Sequence, residues 1–186
     1  WGGVYRITGG VFDMDKDGRE AGKERERAEK KKISSVCVLL FFAVLFLYGC
    51  FAFNDYGISV DEDVERNTSL VTYKHLVPSV SDLVTDSVNF PEIEALDSYI
   101  DRYYGVAVQL PTVAAEHLFG FRLPLRTVYL IRHFYTFLLF YGAAAVFYFL
   151  GKRLTGSRWA ALFGVAMLVL SPRMLAESFY NIKDII

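Results

Sequence analysis

A run of residues, 33–53, without one charged side chain constrains this chain more than anything else in it. At ~1.5 Å of rise per residue, a helix over that run is about 30 Å long, the thickness of the hydrocarbon layer of a bilayer. A secretory signal peptide would have a shorter apolar core followed by a small-residue cleavage site. This run ends instead in Phe51-Ala52-Phe53, a poor cleavage site. It is predicted to be a membrane span. An overall composition of 53% hydrophobic residues and a net charge of -1 would also suit one soluble domain. What excludes that reading is distribution: the apolar residues sit in long blocks, with the charges between them. Cys37 and Cys50 fall inside the first block, roughly 20 Å apart on a helix, beyond disulfide reach. They read as ordinary small core residues.

The rest of the chain parses around that span. Residues 1–32 form a charged tail in which Lys23-Glu24-Arg25-Glu26-Arg27 leads to Lys30-Lys31-Lys32, directly before the apolar block. Basic residues beside a span tend to stay in the cytoplasm. The span itself covers 33–53. Residues 54–127 carry twelve acidic residues against five Lys or Arg and are expected to be an external loop. Within it, Asp61 to Leu76 has the pattern of an amphipathic helix. A second span is predicted over 128–150, with Arg132 and His133 near its start, then a cytoplasmic connector, 151–158, holding Lys152, Arg153 and Arg158. A third span is predicted over 159–176, its last residues included if Arg173 reaches back to the interface. Residues 177–186 then begin a second external loop. The chain starts at Trp1 and stops at Ile186, just after an apolar block, so a piece of a longer protein is expected.

Tyr104 to Phe121 is apolar enough to suggest another crossing. Gln109, Pro111, Glu116 and His117 make full insertion costly. A fourth crossing would also put Lys152, Arg153 and Arg158 outside, against the positive-inside bias. The segment is expected to lie along the outer interface. The fold class is therefore an all-α polytopic membrane protein with interfacial helices in a large outer loop.

Several motifs carry chemistry. Asp13-Met14-Asp15-Lys16-Asp17-Gly18 with Glu24 matches a calcium-loop pattern, but Thr8-Gly9-Gly10-Val11 makes a poor entering helix and Glu20 stands where an apolar residue is usual. Calcium is not expected at Asp13; a charged tail is. Asn67-Thr68-Ser69 is a glycosylation triplet of a kind that arises often by chance. Asp61-Glu62-Asp63, just past the first span, either starts a helix, where acids are favoured, or holds a carboxylate near the membrane surface to take a proton or bind a divalent metal. By the three-span topology, Asp184 returns to the same side. Arg122, Arg126 and Arg132 lie there too, where they would meet anionic phosphate or anchor on lipid headgroups.

One family has this order of features: one span, an acidic pair opening a large outer loop, an Arg-headed second span, a basic connector and a Leu-Ser-Pro end to the third block. Asp61-Glu62, Arg132, Gly151-Lys152-Arg153-Leu154, Leu170-Ser171-Pro172 and Asp184 resemble the GT-C membrane glycosyltransferases, in the protein O-mannosyltransferase and aminoarabinose-transferase branch. The likeness covers residues 33–186, and Asp63 departs from it by making a triple acid. The resemblance implies GT-C-like transmembrane helices and inverting transfer from a polyprenyl-phosphate sugar to a lipid, glycan or protein acceptor on the non-cytoplasmic face. Asp61 would be the general base, Glu62 would orient it or the acceptor, and Asp184 would support the site. Arg132 would stabilise the phosphate leaving group, and Arg126 would bind the same donor. Membrane lipids are expected partners and nucleic acid is not. The expected membrane is the bacterial inner membrane, or the endoplasmic reticulum in a eukaryote.

The competing class is a non-enzymatic polytopic protein, such as a transporter half or an assembly subunit. A transporter would put polar or broken helix at mid-membrane, whereas polar groups cluster at the ends of these spans. Charge asymmetry sets the first test. Reporter fusions at Phe90 should read as external and fusions at Thr155 as cytoplasmic; both on one side would overturn the three-span topology.

Overall fold

The computed structural model describes the backbone of residues 14–80 and 94–185, and side chains from 22 to 80 and from 94 to 183. Phe90, Pro91 and the side chain of Asp184 lie outside the described residues. Helices run as α1 (Met14–Ala52), α2 (Val60–Leu76), α3 (Leu110–Leu118), α4 (Leu125–Thr155), α5 (Arg158–Val169), α6 (Pro172–Tyr180) and α7 (Ile182–Ile185), with a 3₁₀ turn at Pro78–Val80. Among the described residues there is no strand. By packing, the chain divides into 1–41 and 42–186.

In the first unit, α1 begins at Met14, so the stretch that matches a calcium loop is helical backbone from its second residue onward. Along this part Lys30 pairs with Glu26 one turn back, at 2.6 Å, and Ser34 and Ser35 return their hydroxyls to the Lys31 carbonyl. The helix continues without a break into the apolar block.

Among the described residues, two helices are long and apolar enough to cross a membrane, one over Gly22–Ala52 and the other α4. The chain is membrane-associated on that ground. The first helix includes nearly all of the block expected as a span over 33–53 and begins well before it, and α4 is longer than the expected 128–150 by about a turn at each end. Large apolar side chains such as Val44, Leu47 and Phe51 on α1 and Val146 and Phe149 on α4 are exposed. Such a surface is unfavourable in water and suits lipid.

Within the second unit, ring contacts fix the direction of the helices. Phe53 meets Phe134 (centroids 5.4 Å apart), Phe46 meets Tyr141 (5.6 Å) and Phe42 meets Tyr148 (5.9 Å). One number rises as the other falls, so the end of α1 runs antiparallel to α4. Between those pairs, a Cβ at Gly49 would overlap the ring of Phe137, which is fully buried. Glycine here lets the two backbones close up. At its far end α4 stops at Gly156, whose positive φ of 67° suits a residue without a Cβ. Ser157 then caps α5 by accepting from the Ala160 N–H.

The third apolar block differs from expectation. It forms no single helix over 159–176 but two, α5 and α6, bent by 68°. The cause is Pro172, which has no N–H for the helix ladder and whose ring crowds the preceding turn; Ser171 before it is extended. Arg173 pairs with Glu177 at 2.8 Å. α5 returns along α4, close enough that a Cβ at Gly151 would stand 3.5 Å from Ala161. α6 then turns across the bundle, and Phe179 stacks on Phe137 at 5.1 Å and on Tyr56 at 4.5 Å.

Residues 54–80 and 94–124 build a cap at the end where α1 stops and α4 starts. Its small apolar core is Leu70, Val80, Val113 and Phe121. α3 is nine residues long, about 13 Å of helix, too short to cross a membrane. The glycosylation triplet lies in mid-α2 with Thr68 and Ser69 buried.

The close approach at Gly49 makes a prediction. Gly49→Ala adds volume where Phe137 cannot move away, and overpacking of this kind costs about 1–3 kcal/mol. The thermal unfolding midpoint should fall measurably; an unchanged midpoint would mean that α1 and α4 are not packed this tightly.

Candidate functional site

The three consecutive acids at the start of α2 have three different fates, because successive helical residues turn by about 100°. Glu62 closes a capping box with Ser59: Ser59 N–H donates to Glu62 Oε2 (2.9 Å) and Glu62 N–H to Ser59 Oγ (3.3 Å). Its other oxygen lies 2.9 Å from His133 Nε2. That approach is short but not aligned as a hydrogen bond, so it counts as a polar contact only. His133 Nδ1 faces the Phe53 carbonyl at 3.4 Å. Asp63 accepts from the Tyr129 hydroxyl at 2.8 Å. Asp61 alone faces a cavity.

That cavity has a volume of about 200 Å³, and its polar lining includes Asp61, Glu65, Asp101, Gln109 and Lys183. Glu65 is one helical turn beyond Asp61, which puts both on one face of α2. It is buried, its Oε1 makes no hydrogen bond, and Lys183 Nζ stands 3.5 Å away. Burial pushes the Glu65 carboxyl above its usual range, against the opposing pull of Lys183 and Arg132. Lys183 is half exposed and also sits over the Tyr104 ring, 5.4 Å from its centroid.

Beneath the cavity lies a buried polar layer. Arg66 grips Glu116 with two bonds, Nε to Oε1 at 3.2 Å and Nη2 to Oε2 at 2.7 Å. Arg132 is buried and donates to Thr112 Oγ1 at 2.8 Å; with Glu62 and Glu65 it lines an almost filled recess. Ser69 donates to Gln109 Oε1 at 3.0 Å, which holds Gln109 at the cavity wall. Nearby, the peptide links at Gly120 and Phe121 take positive φ, 61° and 54°. This conformation is strained for phenylalanine, and is held by burial of the ring and its stacking on His117 at 5.6 Å.

The residues singled out from sequence are thus divided among different places. Asp61 opens onto the cavity. Glu62 is committed to the helix cap and to His133. Arg132 is enclosed among carboxylates, with no face toward the cavity at Asp61. Arg126 is exposed and lines a different cavity with Tyr129 and His133. Asp184 belongs to α7, and its neighbour Lys183 is what reaches α2. Glu65, Asp101, Gln109 and Lys183 were not anticipated. The four-residue spacing of Asp61 and Glu65 was a visible signal for the first; nothing local marked Asp101. Among the described residues no group of three His, Cys, Asp or Glu has the geometry to hold a metal ion.

Glu65 gives the site a pH signature. An acid whose folded pKa is raised stabilises the fold at pH below the ordinary carboxylate range, and that contribution is lost as pH rises through the raised value. Wild-type protein should therefore lose part of its stability as pH climbs from about 4.5 toward neutrality. Glu65→Gln, which cannot ionise, should lack that share of the slope. Superimposable stability–pH profiles for the two would mean that Glu65 titrates as an ordinary surface acid.

No family model, curated protein or solved structure matches this chain.

Proposed function

We propose that this chain belongs to a multi-pass membrane glycosyltransferase that moves a sugar from a polyprenyl phosphate to an acceptor on the non-cytoplasmic face, with inversion. The supporting observation is the cavity at Asp61. A carboxylate free of structural duties stands there beside a cation, Lys183, supplied by the segment after the third apolar block. Two parts of the chain separated by two apolar blocks meet at one end of the bundle, where the carrier's phosphate would lie in the membrane interface. The membrane is the bacterial inner membrane, or the endoplasmic reticulum if the source is eukaryotic.

In the proposed step, Asp61 accepts the proton of the acceptor hydroxyl as its oxygen bonds to the anomeric carbon. The bond from that carbon to the phosphate oxygen breaks on the opposite face, which inverts the configuration. The electron pair leaves with the polyprenyl phosphate, whose charge Lys183 is positioned to offset. Arg132, enclosed by Thr112 and carboxylates, is better suited to holding the layer together than to meeting a phosphate. A non-enzymatic subunit is the second reading. It is favoured by the structural engagement of Glu62, Asp63 and Arg132.

In the full-length protein with polyprenyl-phosphate hexose or pentose donors, Asp61→Asn should lower transfer roughly 10²- to 10⁴-fold. Expression and membrane insertion should be unaffected. Asp63→Asn keeps an oxygen for the Tyr129 hydroxyl and should transfer nearly as wild type. Equal, near-normal transfer in both variants would defeat the assignment, and no transfer by the wild type with any such donor would favour the non-enzymatic reading.

A further inference from the structure

A cavity of about 580 Å³ lies away from Asp61, as a groove along α4. Ile131, Phe134 and Leu138 form one wall, and Cys50 and Phe53 at the end of α1 form the other. Leu130 lines this groove and also a second cavity, of about 370 Å³, where the lining turns polar with Asn54, Tyr56 and Arg126. None of the residues lining that second cavity is acidic. Arg126 is exposed and makes no hydrogen bond or ion pair among the described residues.

From Arg126 to Leu138 the helix rises about 18 Å. One leaflet of a bilayer has hydrocarbon roughly half of ~30 Å thick. The pair of cavities therefore has the polarity and length of one leaflet: a cation at the headgroup level, then an apolar channel one acyl chain deep. Lipid surrounds any span, but a lone cation at the head of a formed groove selects for charge.

We propose that Arg126 and the α4 groove bind one anionic phospholipid of the outer leaflet. Its phosphate lies on the Arg126 guanidinium, and one acyl chain runs past Leu130 along Ile131, Phe134 and Leu138. The site is separate from the Asp61 cavity: its wall includes Tyr129, the partner of Asp63, whereas Asp61 and Glu65 face the other cavity. It rests on the membrane setting of α4 and not on the transferase reading.

The test uses the full chain in neutral detergent, titrated with phosphatidylglycerol, phosphatidylcholine or inorganic phosphate, and reads retained lipid by native mass spectrometry. Phosphatidylglycerol should bind saturably and at least about tenfold more tightly than phosphatidylcholine, the scale of one charge-assisted bond. Arg126→Gln should erase that preference, Arg126→Lys should restore most of it, and Leu138→Trp, which fills the groove, should weaken both lipids. Equal affinity for the two lipids in wild type would overturn the proposal, as would an unchanged preference in Arg126→Gln. Binding of inorganic phosphate as tight as that of the lipid would overturn the groove's part in it. A second measurement needs no change at Arg126. In a Cys37→Ser background, phosphatidylglycerol should slow alkylation of Cys50 at concentrations about tenfold lower than phosphatidylcholine needs, and phosphate should not slow it; equal rates at equal concentrations of all three would count against the site.

Discussion

The buried pair of Arg66 and Glu116 is the contact on which the arrangement of the cap depends. It ties α2 to α3 across fifty residues of sequence, with both side chains withdrawn from solvent. Removing two charges from water costs several kcal/mol each, and attraction repays that only in good geometry with the remaining donors and acceptors satisfied. The two-bond fork meets the geometric condition. Such a pair adds little net stability compared with apolar residues of the same shape, yet losing one partner would cost about 3–5 kcal/mol. Its effect is specification: α3 docks where Glu116 meets Arg66, and that docking brings Thr112 to Arg132 and Gln109 to Ser69.

Burial in the layer below Asp61 governs the behaviour of Glu65. Glu62, Glu65 and Glu116 face two buried guanidiniums, Arg66 and Arg132. His133 also stands against Glu62, and it is burial that pushes the Glu65 carboxyl upward, while Lys183 and Arg132 pull it down. When it ionises, the nearby counter-charge is Lys183, half exposed. The cavity thus joins a buried acid to a half-exposed lysine. Asp61 borders both but shares the fate of neither.

The spans were legible from sequence because their signal is one-dimensional: a long uncharged run must be helical in lipid and must be about as long as the bilayer is thick. The cap was legible as helices but not as packing. An amphipathic pattern in α2 suggests an apolar face turned inward, yet Val60 and Val64 are exposed while Glu62, Glu65 and Arg66 are buried. Burial of that polar face is stabilised by Glu116, Arg132 and His133, which lie fifty or more residues away, so no window of sequence contains the reason. The same holds for the cavity: Asp61 and Glu65 show their relation by spacing, whereas Asp101 and Lys183 join them only through the fold.

The bend at Ser171-Pro172 shows how a visible signal can be read for the wrong purpose. Leu170-Ser171-Pro172 carries part of a family resemblance, but its local physics is that of a helix break. α5 has twelve residues, about 18 Å, which is short of a bilayer's thickness. The turn of 68° sends α6 across, where Phe179 wedges between Phe137 and Tyr56. From there one short step through α7 puts Lys183 against Glu65. The proline that interrupts the third block is therefore what delivers the cation to the carboxylates, and the geometry of the Asp61 cavity follows from a residue that contributes no atom to it.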